Sequence, residues 1–241
     1  MAEEKTKSKK SISKIIPEEM AEAGLHLGHS TSKTHPRMKP YIYGTRNAVH
    51  IIDLEKTAEK LKEALKFIGE LISEKKNLLL VGTKVQIKDR VKKTAEDCGL
   101  PYVTERWLGG TFTNFEIIKK RTERFKELEQ LKASGALEKY TKKERAKFDK
   151  ELQLFQKKFG GIKELNQLPE AILILDMKKD IAAIREAKIK GVKVIGLAHT
   201  NVDPTLADYP IPGNDDAIPS LAYILDKIKE VILKAKAKTE K

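Results

Sequence analysis

The amino-acid sequence predicts an α/β domain with a doubly wound parallel sheet, into which an antiparallel α-helical hairpin is inserted. The first observation is a set of short runs that are apolar on both faces, as in parallel strands buried between helices. The second is that helical patterns alternate with these runs along the chain. The third is a middle segment whose apolar residues have a different, coiled-coil-like spacing.

The N-terminal part is expected to contain little regular structure before its first long helix. Residues 1–14 are rich in Lys and Ser, and we expect them to be disordered in the free protein. Pro17 suits the first turn of a helix that Gly24 can end. Residues 24–50 are rich in Gly, Pro, His and basic residues and are expected to be irregular. A short apolar run at 49–54 then leads into a helix.

Four apolar runs predict the strands of the parallel sheet. They are NLLLVGT at 77–83, PYVT at 101–104, EAILILDM at 170–177 and VKVIGLAHT at 192–200. Helical patterns follow the first and third runs and end at Gly99 and Gly191. The final helix is expected to start near Asp215 or Asp216 and to run past Ile232.

The helical hairpin is predicted between the two halves of the sheet, in residues 115–160. Its second helix carries a four-three-four spacing of apolar residues, formed by Phe148, Leu152, Phe155 and Phe159. Thr141 is placed to cap that helix. Residues 119–158 contain 14 Lys/Arg and 7 Asp/Glu, and 14 − 7 leaves an excess of +7. We interpret the hairpin as an RNA-facing arm, and an ordinary solvated helix surface is the alternative.

Composition narrows the class of protein. The formal net charge of +13 favours an anionic partner, and nucleic acid is the usual one. Cys98 is the only cysteine, so neither an intramolecular disulfide nor a cysteine-rich zinc site can form. No apolar run approaches the roughly 20 residues of a membrane span, and the N-terminus lacks a secretory pattern. We therefore expect a cytoplasmic protein with no membrane partner.

Three motifs of known enzyme families do not occur in the sequence. No stretch matches the P-loop, the GxGxxG dinucleotide fingerprint or the GxSxG nucleophile elbow. The VGTKVQ stretch at 81–86 follows a predicted strand, and it could bind phosphate weakly or be a plain turn into a helix. Cys98 has apolar neighbours and is expected to be a small buried residue.

A metal site is a further hypothesis, because several histidines and aspartates fall in predicted loops or at the ends of elements. The candidate ligands for zinc or magnesium are His26, His199, Asp215 and Asp216, with His29 and Asp203 nearby in the same kinds of position. The alternative is that the acidic pair caps a helix while the histidines contact RNA or pack. Under both hypotheses, we expect that the protein requires no cofactor.

Seven longer motifs occur in order along the chain. They are AGLHLGH (23–29), RMKPYIYGTRNAVHIIDLEKT (37–57), RWLGGTFTN (106–114), GGIK (160–163), LPEAILILD (168–176), TNVDP (200–204) and IPGNDDAI (211–218). Together they resemble the bacterial-type ribosomal protein S2 family of the small subunit, over residues 15–235. His199 stands where bacterial members usually carry an acidic residue, which alters any metal site there.

The resemblance implies a flavodoxin-like α/β domain with a projecting coiled-coil hairpin. We expect tails at 1–14 and 237–241, a discontinuous α/β domain formed by 15–114 and 161–236, and the hairpin at 115–160. It further implies a cytoplasmic location on the ribosome, bound to small-subunit ribosomal RNA, with a role in subunit assembly and translation. Expected protein partners are neighbouring small-subunit proteins, including ribosomal protein S1, and no homo-oligomer is expected. The alternatives are an RNA-binding protein outside the ribosome and a nucleotide-binding enzyme on the same fold.

The site predictions combine basic residues with the glycine pair that precedes the hairpin. The expected RNA-binding residues are Lys33, His35, Arg37, Lys39, Arg46, Arg106, Lys119, Lys120, Arg121 and Arg124. Lys and Arg side chains would contact RNA phosphates and release counterions. The residues expected to set the angle of the hairpin are Trp107, Gly109, Gly110 and Asn114, since glycines permit tight turns and Thr113 or Asn114 can cap a helix. A catalytic nucleotide loop is the alternative for this stretch.

Overall fold

The computed structural model describes residues 15–135 and 139–239. The predicted tail at 1–14, the last two residues of the predicted tail at 237–241 and the centre of the predicted hairpin loop lie outside the described residues. No helix in the described part of the chain combines the length and the apolar character needed to cross a membrane.

Helices and strands alternate along much of the described chain. The helices are α1 (Pro17–Glu22), α2 (Leu54–Ser73), α3 (Lys88–Asp97), α4 (Phe115–Ala133), α5 (Lys142–Phe159), α6 (Ile181–Ile189) and α7 (Ile218–Thr239). The strands are β1 (Leu27–Ser30), β2 (Ile42–Arg46), β3 (Val49–Ile52), β4 (Leu78–Val81), β5 (Tyr102–Val103), β6 (Ala171–Ile174), β7 (Lys193–Ala198) and β8 (Tyr209–Pro212). The described residues divide into two compact units. The first comprises 15–76, 197–205 and 209–239, and the second comprises Asn77–Gly196 and Leu206–Asp208.

The main sheet has five strands in the order β5-β4-β6-β7-β8. Its strands pair in parallel, with Leu78 opposite Ala171 and Ile174 opposite Gly196. Numbered along the chain, the order is 2-1-3-4-5, which is that of flavodoxin-like doubly wound sheets. Strands β4 and β6 are buried along their whole length, as expected for strands covered on both faces. The predicted parallel α/β sheet is therefore confirmed.

The prediction of irregular structure for residues 24–50 was wrong. Strands β1, β3 and β2 form a three-stranded antiparallel sheet there, in that order. The hairpin between β2 and β3 turns through Asn47 and Ala48, whose φ angles are 50° and 60°. Positive φ at both positions is the geometry of a type I′ turn, which is usually marked by Asn-Gly. Because Ala replaces that glycine, the usual sequence signal for this hairpin is weak.

The first unit has a helical layer formed by α2 and α7. Leu61 and Ile68 of α2 and Ile224 and Ile228 of α7 are fully buried, and the two helices make extensive mutual contact. Helix α7 begins at Ile218, two residues after the latest start predicted, and it continues to Thr239, beyond residue 236. Before it, the side-chain oxygen of Asn214 accepts hydrogen bonds from the amides of Asp216 and Ala217, so these residues form a turn that precedes the helix.

Helices α4 and α5 of the second unit lie side by side and antiparallel. The Phe125 and Phe155 rings meet edge to face with centroids 6.1 Å apart, and Lys132 pairs with Asp149 further along. Of the residues predicted to form the seam, Leu152 and Phe159 are buried, whereas Phe148 and Phe155 are half-buried. Phe125 of α4 is buried as well. Thr141 caps α5 in a capping box with Glu144, which confirms that prediction.

Candidate nucleic-acid interface

Several of the predicted RNA-binding residues of the first unit are exposed on short elements near its antiparallel sheet. Lys33 ends a 3-10 turn at Thr31–Lys33, Lys39 lies in a second such turn at Pro36–Tyr41, and Arg46 ends β2. All three side chains are exposed to solvent. Exposed cations in short turns and at the end of a strand can reach phosphates without disturbing the core.

His35 and Arg37 are more constrained than the other predicted contacts. The Arg37 guanidinium donates to the Asp203 carboxylate at 2.6 Å and to the Thr205 hydroxyl at 2.8 Å. The backbone amide of His35 donates to the Thr200 carbonyl at 2.8 Å. Burial alone would raise the pKa of Asp203, but hydrogen bonds from Thr205 and the charge of Arg37 hold this pKa below its ordinary value. An RNA phosphate would therefore compete with Asp203 for Arg37.

The four predicted contacts in the second unit's long helices lie in α4. Lys119, Lys120, Arg121 and Arg124 are all exposed. Among them, Arg124 pairs with Glu127 one turn further along, at 3.1 Å. Arg106 is also exposed, directly before the buried Trp107.

The stretch from Trp107 to Thr113 is organised by a carboxylate that sequence analysis missed. Glu186 of α6 accepts hydrogen bonds from the Trp107 indole at 3.1 Å and from the backbone amides of Gly110 and Phe112 at 2.8 and 2.9 Å. It also accepts from the amide of Thr113 at 3.2 Å. Glu186 is itself buried. One charged group therefore fixes the backbone path that leads into α4.

The charge state of Glu186 follows from these contacts. Burial alone would raise the pKa of its carboxyl, but the hydrogen bonds from Phe112, Gly110, Trp107 and Thr113 outweigh burial and lower the pKa. A signal for this role was present in the sequence. Glu186 follows the buried Ala183 by three residues, so it falls on the buried stripe of its helix.

The glycine pair and Asn114 have different roles from one another. Gly110 has a φ of +90°, a conformation that favours glycine, whereas a side chain at Gly109 would meet no neighbour within 4 Å. Asn114 occupies the residue before α4, but its side chain makes no capping hydrogen bond there. Nor does the Thr113 hydroxyl cap the helix, because it lies 3.4 Å from the Glu186 carboxylate. The predicted side-chain cap of this helix was therefore wrong.

A compact group of potential metal ligands lies in the first unit. One ligand atom from each of His29, His199 and Asp216 lies within 4.8 Å of the others. Of the four predicted ligands, His199 and Asp216 belong to this group, whereas His26 and Asp215 do not. The Nδ1 atom of His26 is buried without a hydrogen-bond partner among the described residues, and Asp215 is buried.

His199 is held in a particular orientation. Its Nδ1 atom lies 2.7 Å from the amide nitrogen of Thr200, which donates to it. A neutral imidazole that accepts at Nδ1 carries its proton on Nε2, and that atom lies 3.9 Å from Asp216. The His29 ring lies against the His199 ring, with centroids 3.8 Å apart, and its Nδ1 lies 3.6 Å from Asp216. As it stands, the group has the geometry of two histidines that share one carboxylate.

The carboxyl ends of β4 and β6 are where flavodoxin-like sheets bind ligands. In this protein, the polar groups at these strand ends form hydrogen bonds and ion pairs with one another. The Thr83 hydroxyl donates to the Asp180 carboxylate at 3.0 Å, the Lys179 ammonium donates to the Thr83 carbonyl at 2.7 Å, and Lys84 lies 3.3 Å from Asp176. Burial raises the pKa of Asp180 to about 6, and nearby Asp176 contributes in the same direction. The VGTKVQ stretch is thus tied into an internal network.

Comparison with known proteins identifies the family. A family model described as Ribosomal protein S2 matches residues 20–235. The chain is 43% identical over 222 residues to the small ribosomal subunit protein uS2 of Coprothermobacter proteolyticus, covering 92% of this chain and 83% of that protein. It is 42% identical, also over 222 residues, to the protein of the same name from Geotalea uraniireducens, covering 92% and 87% of the two chains. The motifs, the strand order and these matches agree that the chain belongs to the ribosomal protein S2 family.

Proposed function

We propose that this protein is a structural constituent of the small ribosomal subunit that binds small-subunit ribosomal RNA and supports subunit assembly and translation. The proposal includes no reaction, because the family is one of ribosomal proteins and not of enzymes. Both relatives are named as small-subunit proteins, and we propose that this role requires no cofactor. The location that follows is the ribosome in the cytoplasm.

The main support for RNA binding is the positive charge of helices α4 and α5, which we together call the arm. Residues 119–158 have an excess of +7, about half of the net charge of the whole chain. The cations at Lys119, Lys120, Arg121 and Arg124 are exposed, whereas Phe125 and Leu128 are buried. Such a surface suits phosphate contacts that are independent of base sequence.

We propose that the arm is a coiled-coil hairpin that projects toward RNA. Leu152 and Phe159 of its seam are buried and its helices are antiparallel, which supports this reading. A-form RNA would be recognised by its shape and its 2′-hydroxyls, because its deep major groove excludes side chains. The neighbouring small-subunit proteins would then include ribosomal protein S1, a partner that rests on the family resemblance.

Sucrose-gradient sedimentation of a lysate tests this function. The tagged protein is expected to migrate with small subunits and whole ribosomes and to remain there through a moderate salt wash. A variant with Lys119, Lys120, Arg121 and Arg124 changed to Glu is expected to shift toward the top of the gradient. The control carries four Lys-to-Glu changes at exposed positions outside the arm, namely Lys62, Lys66, Lys178 and Lys190.

The gradient also separates this function from its rival. Wild-type protein found only at the top, yet bound tightly to generic RNA, would show an RNA-binding protein that acts outside the ribosome. An unchanged profile of the arm variant, with wild type on the ribosome, would leave the ribosomal function standing and remove the RNA-facing arm.

A metal ion at His29, His199 and Asp216 is a second proposal, supported by the closeness of their ligand atoms. Two imidazoles and one carboxylate suit zinc rather than magnesium, which takes oxygen ligands. Zinc lies about 2.0–2.1 Å from histidine nitrogen, so the ligand atoms of the three residues would have to move closer to one another. Binding through Nε2 of His199 would place its proton on Nδ1, facing the Thr200 amide that now donates to it. A metal ion would therefore require Thr200 to turn away.

Isothermal titration of the metal-free protein with zinc, and separately with magnesium, tests this site. A single binding event that disappears in Asp216→Asn is expected if the ion is held there. Equal binding by wild type and Asp216→Asn would contradict the site, whereas no binding by either would leave a His–Asp charge cluster.

A further inference from the structure

We propose that a basic cleft at the foot of the arm, where α4 begins and α5 ends, binds phosphodiester groups of the RNA backbone. This contact rests on the proposed function and gives it a defined site. The basic cleft lies wholly within the second unit and encloses about 240 Å³. Its cationic lining consists of Lys88, Lys92, Arg106, Lys157 and Lys158. Of these, sequence analysis had selected Arg106 alone.

Three elements supply the walls of the basic cleft. Lys88 and Lys92 lie in the first half of α3, one turn apart on the same side of the helix. Arg106 follows β5, the edge strand of the main sheet. Lys157 and Lys158 form the last turn of α5, where the negative end of the helix dipole favours cations.

A glycine brings these walls together. Gly161 lies so close to β5 that a Cβ atom added to it would stand 2.2 Å from the Tyr102 carbonyl oxygen. Any larger residue would push the end of α5 away from the strand and open the basic cleft. The GGIK motif, whose role the arm itself does not explain, thus has a physical function: it seats the lysine-bearing end of α5 against the edge of the sheet.

The charges in the basic cleft are only partly neutralised by their neighbours. Five cations face two carboxylates, Asp89 and Glu105, so the lining has a net charge of 5 − 2 = +3. Lys88 lies 3.2 Å from Glu105, and Lys92 lies 3.9 Å from Glu96, which is outside the lining of the cleft. Among the described residues, Arg106, Lys157 and Lys158 have no carboxylate partner within salt-bridge distance. Three like charges around one cavity repel each other, and a bound anion would relieve that repulsion.

A neighbouring cavity shows that the positive charge is local. This second cavity, of about 620 Å³, shares Tyr102, Gly160 and Gly161 with the basic cleft. Its lining includes Glu96 and Glu164 and contains neither Lys nor Arg. The two cavities therefore carry opposite charge on either side of Gly160 and Gly161, although the second cavity is more than twice as large. An anion is therefore expected to bind in the smaller cavity because of its positive charge, although the larger cavity offers more space.

The size and donors of the basic cleft indicate the class of ligand. Sites for cofactors and other small molecules usually enclose roughly 300–1,000 Å³, more than this cleft offers. The guanidinium of Arg106 can bind two phosphate oxygens at once, and the lysines add mobile point charges. A single phosphate group carried on a chain fits this arrangement better than a free nucleotide. Since the proposed partner is ribosomal RNA, we assign the phosphate to its backbone.

The salt dependence of RNA binding tests the basic cleft. Purified full-length protein is titrated with small-subunit ribosomal RNA by filter binding between low and moderate salt. Each phosphate contact contributes about 0.7–0.9 to the slope of log K against log salt, so Lys157→Gln with Lys158→Gln is expected to reduce that slope by about 1.5. The control is Lys178→Gln with Lys190→Gln, which removes the same charge at exposed positions of the second unit that lie outside both the arm and the basic cleft.

The outcomes separate this proposal from the proposed function. A reduced slope in the cleft variant alone supports the basic cleft, and Arg106→Lys is then expected to weaken binding through loss of the two-pronged contact. Equal reductions in both double variants, or none in either, would overturn the basic cleft while RNA binding by the wild type stands. No binding by wild type would overturn both. Circular dichroism melting of each variant confirms that the fold is retained.

Discussion

The two ends of the arm are held by opposite kinds of interaction. At the foot, the buried Glu186 accepts four backbone and indole hydrogen bonds, two of which come from the buried Trp107 and Phe112. Toward the tip, Lys132 and Asp149 form an ion pair at 2.7 Å with side chains that are 58% and 48% exposed. A carboxylate therefore forms the main contact at each end, and it is buried from water at the foot but exposed to water toward the tip.

This difference predicts which end of the arm is stiff. A buried carboxylate that loses its donors cannot be rehydrated, so the foot has one stable geometry. An exposed ion pair exchanges readily with water and is screened by salt, so it contributes little to stability. The direction of the arm would therefore be set at the foot, while the tip can adapt to its partner.

The largest expected effect is at the foot. Glu186→Ala should lower the free energy of unfolding by roughly 4–6 kcal/mol, because two fully buried donors each cost about 1–3 kcal/mol when unpaired and partly buried ones add to this. Urea unfolding followed by circular dichroism measures the loss. Glu164→Ala, at a carboxylate 80% exposed, is the control and should change little. A loss of unfolding free energy no larger than that of Glu164→Ala would contradict a rigid geometry at the foot.

The same site gives a pH prediction. The pKa of Glu186 is lowered in the folded protein, so its ionised form stabilises the fold above the ordinary glutamate pKa, and this stabilisation is lost as the pH falls through the lowered value. The difference in unfolding free energy between wild type and Glu186→Gln should thus shrink below about pH 4. A difference that grew on acidification would contradict the assigned hydrogen bonds.

The middle of the arm should show the next largest effect. Phe125 is 1% exposed and meets Phe155 edge to face, so Phe125→Ala should cost about 3–4 kcal/mol through lost burial and a residual cavity. Ile117 lies on the same helix but is 54% exposed, and Ile117→Ala should cost less than about 0.5 kcal/mol. Thermal melting of the two variants compares them directly, and equal losses would argue against a packed seam.

The cap of α5 should have a smaller effect. Thr141→Ala removes the hydroxyl that accepts from the Glu144 amide, which should cost about 1 kcal/mol. Thr141→Ser keeps the hydroxyl and should cost only a few tenths of that amount. Fraying of α5 in the alanine variant would be visible as faster amide hydrogen exchange in its first turn. Identical exchange in both variants would show that the cap is unimportant.

The smallest effect is expected at the exposed ion pair. A double-mutant cycle on Lys132→Ala and Asp149→Ala should give a coupling free energy of about 0.2–0.5 kcal/mol that vanishes at 1 M salt. A salt-independent coupling above about 2 kcal/mol would mean that the tip is as rigid as the foot and would remove the contrast between the two ends.

Sequence patterns were sufficient where one strong local signal decided the structure. The apolar runs at 77–83 and 170–177 became β4 and β6, because short, continuously apolar runs are typical of strands covered on both faces. The hairpin through Asn47 and Ala48 was missed, because its turn lacks the expected glycine and its strands expose one side to solvent. Glu186 was missed, because its donors are more than 70 residues away in the sequence.

The sequence by itself determined the family, the parallel α/β class and the excess of positive charge, because motif order, hydrophobic period and charge are properties of the chain alone. Tertiary structure alone decided which charged groups meet. It placed His29 rather than His26 beside His199, gave Glu186 its four donors, and gathered lysines of α3 and α5 around Arg106. These outcomes depend on long-range packing, which brings distant residues within a few ångströms and decides whether water lies between them.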